Sequence, residues 1–150
     1  MSEEELDSLS FDLLNKKIES RKNDKIKNAK NPYSIKVLGT EFLFGKNKEQ
    51  NQNLTFHLAH HKNTFMHIHN YPGSHIVIKN ENPTKEQLLF GASLALLLSF
   101  KTTGEVMYCK ISDVKSTSNT GLVNVKKYSL IKLNQISEIA QKSLKEAKKV

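Results

Sequence analysis

Residues 88–98, Leu-Leu-Phe-Gly-Ala-Ser-Leu-Ala-Leu-Leu-Leu, are apolar on nearly every side. A helix of that kind has no face to offer water, so it has to be wrapped by other elements. Thr84-Lys85-Glu86-Gln87 immediately before it has the capping-box pattern that starts a helix. Gly91, Ser93 and Ser99 interrupt the run, which falls short of the roughly 20 apolar residues needed to span a bilayer. The spacing therefore predicts a domain built around this segment as its most buried helix, with no membrane span.

The flanking sequence supplies material to wrap it. Ser34-Ile35-Lys36-Val37-Leu38 and Glu41-Phe42-Leu43-Phe44 read as short strands of a hairpin turning at Gly39-Thr40. Asn47 can cap a helix that carries Leu54 and Leu58 on one face. Residues 64–69 and 75–79 have strand character, and Tyr71-Pro72-Gly73-Ser74 between them has turn chemistry. Residues 105–111, 122–125 and 129–133 read as further strands with a loop at 116–121, and Ile136, Ile139, Ala140 and Leu144 mark a final helix. Short strands in hairpin-like pairs, interleaved with helices, predict an α+β fold: one compact domain over residues 34–150 with a buried central helix and a C-terminal helix.

Residues 1–33 read differently. Ser2 and Glu5 have capping-box spacing, and Leu6, Leu9, Leu13 and Leu14 follow at helical intervals with no apolar partner nearby. Residues 16–30 are rich in lysine and nearly devoid of apolar side chains, as expected of a solvated basic linker. The expectation is the end of a coiled-coil-like helix followed by a linker, in a piece of a longer protein. The acidic start, Glu3-Glu4-Glu5, is unlike the basic start of a secretory signal, and the single Cys109 allows no internal disulfide; a cytosolic protein is expected. Across its 150 residues the formal charge is +8, which favours polyanionic partners, although a lysine-rich composition alone can produce the same figure.

Two clusters invite chemistry. All six histidines, His57, His60, His61, His67, His69 and His75, lie within one stretch, as a metal site would require, but that stretch has neither an HExxH pattern nor a carboxylate. Scattered core and surface histidines are the plainer reading. Ser74 beside His75 has the residue types of a nucleophile and base, but neighbours on an extended strand point to opposite faces. Pro72-Gly73-Ser74 offers free backbone N–H groups that can hold a phosphate or a splayed nucleotide, with Ser74, His75 and His67 as flanking donors. Tyr71 and Phe65 can act as stacking faces or as core, and the Pro-Gly step also suits an ordinary turn.

The block Asn63-Thr64-Phe65-Met66-His67 followed by Pro72-Gly73-Ser74-His75 and an apolar strand resembles the signature of the NFACT-R domain. Residues 44–51, Phe-Gly-Lys-Asn-Lys-Glu-Gln-Asn, resemble that family's Gly-Arg-Asn-x-x-Gln-Asn element, and residues 92–101 resemble its central helix. The likeness covers roughly residues 34–133, and the preceding helix and linker resemble the end of the family's coiled coil. Asn63 replaces a usual acid, Phe65 replaces a usual Trp, and the loop at 115–121 holds less lysine than is typical.

This resemblance implies an RNA-binding module, not an enzyme, of a factor that binds obstructed large ribosomal subunits and tRNA and promotes tailing of stalled chains. The implied partners are large-subunit rRNA, tRNA and N-terminal domains of the same protein, with no DNA, no membrane and no cofactor. Carried over by position, the implied RNA-binding residues are His67, Pro72, Gly73, Ser74 and His75, together with Gly45, Asn47, Asn51 and Lys101. Asn47 and Asn51 can equally serve as cap and packing residues. Relatives bearing a fibronectin-binding label make an extracellular-matrix module the alternative, followed by a histidine-rich metal enzyme.

Overall fold

A computed structural model describes residues 29–150. The expected N-terminal helix and most of the basic linker lie outside the described residues. The chain divides into two units, Met1–Lys30 and Asn31–Val150, and the second carries the sheet and the helices that pack on it.

Strands β1 (Tyr33–Val37) and β2 (Thr40–Phe44) form a hairpin in which Val37 pairs with Thr40. Its turn is therefore Leu38-Gly39, one residue earlier than the sequence suggested. Both residues have positive φ, 54° and 77°, the paired left-handed geometry that lets a two-residue turn follow strand twist. Helix α1 (Lys48–Asn53) continues into a π-helical turn, Leu54–Leu58, which buries Leu54 and leaves Leu58 exposed. Strands β3 (Thr64–Ile68) and β4 (Ile76–Ile78) pair antiparallel across the Pro-Gly turn. Helix α2 (Lys85–Leu98) is the central helix, and β5 (Gly104–Lys110), β6 (Val114–Ser116), β7 (Val123–Val125), β8 (Ser129–Leu133), α3 (Glu138–Leu144) and β9 (Lys148–Lys149) complete the domain. Seven strands form one antiparallel sheet in the order β8-β5-β3-β4-β2-β1-β9, and β6 and β7 form a separate ribbon.

Because side chains alternate across a strand, each strand feeds two cores. Phe42, Phe44, Met66, Ile76, Ile78 and Val106 face α2 and α3. Leu43, Phe65, Val77 and Met107 face the other way, under the π-turn and the β6–β7 ribbon. The fold is thus α+β in three layers, with α2 packed on β3, β4, β5 and β8. Phe90 meets Phe42 at 4.5 Å between ring centres, and full burial of such a side chain is worth about 1.5–3 kcal/mol.

The capping box of α2 forms as the sequence predicts. Thr84 Oγ1 accepts the Gln87 amide (3.1 Å), and Gln87 Oε1 accepts the Thr84 amide (3.0 Å). Gln87 also donates to the Leu38 carbonyl (2.9 Å), tying the first hairpin turn to the helix start. Thr84→Ala should therefore cost about 1 kcal/mol in urea-melt stability, while Lys85→Ala, at an exposed position, should be near neutral.

Candidate nucleic-acid interface

The second face of the sheet carries the Pro-Gly-Ser-His turn, and a network of hydrogen bonds centred on His75 sets its position. Asn47 caps α1 by accepting the Gln50 amide (2.8 Å), and Gln50 Oε1 accepts the Lys46 amide (2.8 Å). The capped helix then presents Asn51 Oδ1 to the His75 amide (3.1 Å), while the Gly45 amide donates to the His75 carbonyl (3.2 Å). Both backbone groups of His75 are thereby held by the segment 45–51.

Its ring is held as well. Nε2 lies 3.1 Å from the Gly121 carbonyl, and Nδ1 lies 2.7 Å from Thr55 Oγ1. A carbonyl only accepts, so Nε2 carries the proton, Nδ1 of the neutral ring accepts, and the Thr55 hydroxyl donates. The π-turn brings Thr55 to this position. Gln52 Oε1 in turn accepts the Gly121 amide (2.8 Å), so the loop before β7 is fastened to α1 and His75 together.

His75 is only 1% exposed. Burial, reinforced by nearby His67, pushes its pKa down to about 4 against the pull of the Gly121 and Asn51 backbone. Burial also lowers His67, opposed by the carbonyls of Ile68 and Gly73; its Nδ1 lies 2.6 Å from the Ile68 carbonyl. The His75 ring stands edge-on to Phe65 (5.1 Å) and His67 (5.7 Å). Both imidazoles are therefore neutral near pH 7 and contribute shape and hydrogen bonds, not positive charge.

Above this buried layer a groove of about 1000 Å³ opens between the 69–75 turn, the C-terminal end of α2 and the 120–125 loop. Lys46, Lys48, Asn70 and Tyr71 are exposed around it, and its lining contains no Asp or Glu. Lys101 Nζ sits 4.2 Å over the Tyr71 ring. On the far wall His69 Nε2 lies 3.2 Å from the Tyr128 hydroxyl. Lysines and half-exposed aromatic rings without opposing carboxylates suit a polyanion with planar bases.

The structure brings the sequence-derived residues together. Asn47, Asn51, His67, Pro72, Gly73, Ser74 and His75 all line the groove; Gly45 lies beneath it, and Lys101 stands beside Tyr71. Their positions differ, however. Pro72 and Asn47 are exposed, whereas Asn51, Ser74 and His75 are buried and shape the turn from below. Phe65, read from sequence as either stacking face or core, is 0% exposed and is core. Among the described residues no three His, Cys, Asp or Glu side chains converge to hold a metal ion. Sequence reasoning missed Thr55 and Gln52, whose partners are far along the chain. It also missed Phe100, which lines the groove and is 98% exposed.

No family model matches the chain. The Rqc2 homolog RqcH of Bacillus subtilis is 34% identical over 80 residues, covering 51% of this chain and 14% of that protein. The solved C-terminal part of the fibronectin/fibrinogen-binding protein of Streptococcus suis matches with a TM-score of 0.67 and 26% identity, over 75% of this chain and 48% of that one. The chain thus spans a small part of its curated relative and about half of its structural one. The class defined by the sheet, the central helix and the turn is an α+β domain with an acid-free groove beside the Pro-Gly turn. The two relatives support its assignment as an NFACT-family C-terminal domain.

Proposed function

We propose that this chain is an RNA-binding module of a cytoplasmic ribosome quality-control factor, one that helps its parent protein hold obstructed large subunits and tRNA while stalled chains are tailed. The observation that carries this reading is the groove itself, lined by lysines, aromatic rings and a rigid turn, with no acidic side chain. The likeness to RqcH supports the ribosomal setting. In this reading the module is not an enzyme; bond formation belongs to the ribosome, and lysine–phosphate contacts supply the affinity. Among the described residues no helix is long and apolar enough to cross a membrane.

The test is binding to purified large subunits and to tRNA across a salt series, comparing wild type with Lys46→Ala/Lys48→Ala/Lys101→Ala. The slope of log affinity against log salt should shrink by about 2 in the variant, at roughly 0.7 per lost single-strand contact, with the fold intact. Salt-independent binding, or equal slopes, would reject the groove as the RNA surface. The likeness to a protein described as fibronectin/fibrinogen-binding favours a second reading, an extracellular-matrix module. Fibronectin capture that is not competed by tRNA would support that reading instead.

A further inference from the structure

The last turn of α2 ends in an unusual way. The Lys101 amide donates to the Leu96 carbonyl (2.9 Å) and the Phe100 amide to the Leu97 carbonyl (3.0 Å), the paired bonds of a Schellman motif. The residue between helix and exit adopts the left-handed conformation, and glycine normally fills that place because it has no Cβ to strain. Here it is Phe100, at φ 58°. The side chain is also 98% exposed, so it contributes almost nothing to the core. A bulky apolar residue at this position adds backbone strain and exposed apolar surface, and neither stabilises the fold.

Its surroundings indicate what it serves. Phe100 lines the acid-free groove, and the next residue, Lys101, places its ammonium on Tyr71. The helix end packs closely on the Pro-Gly turn: a Cβ on Gly73 would lie 2.8 Å from both Ser99 Oγ and Ile68 Cγ2, so only glycine lets the turn come this near to those two side chains. An exposed phenyl ring in the same groove as a turn whose tyrosine has a lysine over it offers a nucleic-acid strand one face on which to stack a base and one cation to pair with a phosphate. We propose that Phe100 is a nucleobase platform, so that the groove takes RNA through at least one unpaired base. This rests on the RNA-binding reading and deepens it. A base within an intact duplex has both faces occupied by its neighbours, so the platform selects loops, ends and single strands over blunt helices.

The wild-type sequence contains no tryptophan, so a Phe100→Trp variant carries a single indole reporter. Binding of the full chain is measured to a uridine oligomer and to a blunt RNA duplex of equal length, for wild type, Phe100→Trp and Phe100→Gly. Phe100→Gly should weaken oligomer binding roughly 5- to 150-fold and leave duplex binding unchanged. Its melting temperature should rise by about 2–4 °C, because glycine accepts the left-handed backbone. Phe100→Trp should bind like wild type, with its fluorescence quenched by the oligomer and not by the duplex. Oligomer binding unaffected by Phe100→Gly, or equal loss on oligomer and duplex, would overturn the platform while leaving the RNA reading in place. Wild type that binds neither RNA would overturn both.

Discussion

His75→Ala should be the most destabilising single change at the site, by roughly 3–5 kcal/mol, and it should also flatten the acid side of the stability profile. Truncation removes a ring buried to 1% exposure. It leaves the Thr55 hydroxyl and the Gly121 carbonyl without the partners they hold at 2.7 and 3.1 Å. Each stranded buried group costs about 1–3 kcal/mol, and the vacated volume adds to that. The pH dependence follows from the depressed pKa. The native ring stays neutral down to about 4, whereas the unfolded ring takes a proton near 6.5. Between those values the unfolded state binds more protons, so stability is fully present above about pH 6.5 and declines as pH falls toward 4. The total from His75 is about 3 kcal/mol, and His67, lowered by burial, acts in the same direction. Urea melts from pH 7 to 4 would show this decline in wild type and a shallower one in His75→Ala. An equally steep profile in the variant would mean that His75 is not the group responsible.

Gly45→Ala should cost roughly 2–4 kcal/mol and weaken ligand binding at the groove, although it adds one methyl group. A Cβ at Gly45 would collide with Asn51 Oδ1 and lie 2.7 Å from the Asn51 amide nitrogen. The latter is helix backbone and cannot rotate away, so α1 itself has to move, and with it the Asn51 oxygen that holds the His75 amide. Overpacking contributes about 1–3 kcal/mol and the weakened hydrogen bond about 1 kcal/mol. Gly39→Ala is the useful contrast. Nothing lies within 4 Å of its added Cβ, so only the strain of φ 77° remains, about 1 kcal/mol. Comparable losses in the two variants, measured by denaturant melts, would show that the crowding at Gly45 is relieved at little cost.

These two positions show what the sequence discloses and what it withholds. The capping box at Thr84 and the central helix were legible because both are local patterns, written in spacing over a few residues. The paired strands around Pro72-Gly73 were legible for the same reason. The hairpin turn was misplaced by one residue because nothing in Leu38 announces a left-handed backbone. Gly45, Asn51 and His75 could be singled out through family likeness, but not the way they work together. His75 Nδ1 meets Thr55, 20 residues away, and Nε2 meets Gly121, 46 residues away. Pairings at that separation leave no periodic trace. Phe100 was illegible for the opposite reason: an aromatic residue at the end of an apolar helix reads as core, and only the left-handed turn swings it outward.

The sheet's outer strand also carries a consequence for the order of assembly. β9 pairs with β1 through Ser34 and Lys148, and the Val150 amide reaches the Pro32 carbonyl (2.9 Å). The two hairpins close over short loops, whereas this seam joins the two extremities of the described domain and incurs the full entropy of closing so long a loop. The seam therefore forms after the central strands are in place. During that interval the outer edge of β1 is open to a passing strand of another chain, and its capture by a two-lysine strand replaces that edge with a short, charged one that resists self-association.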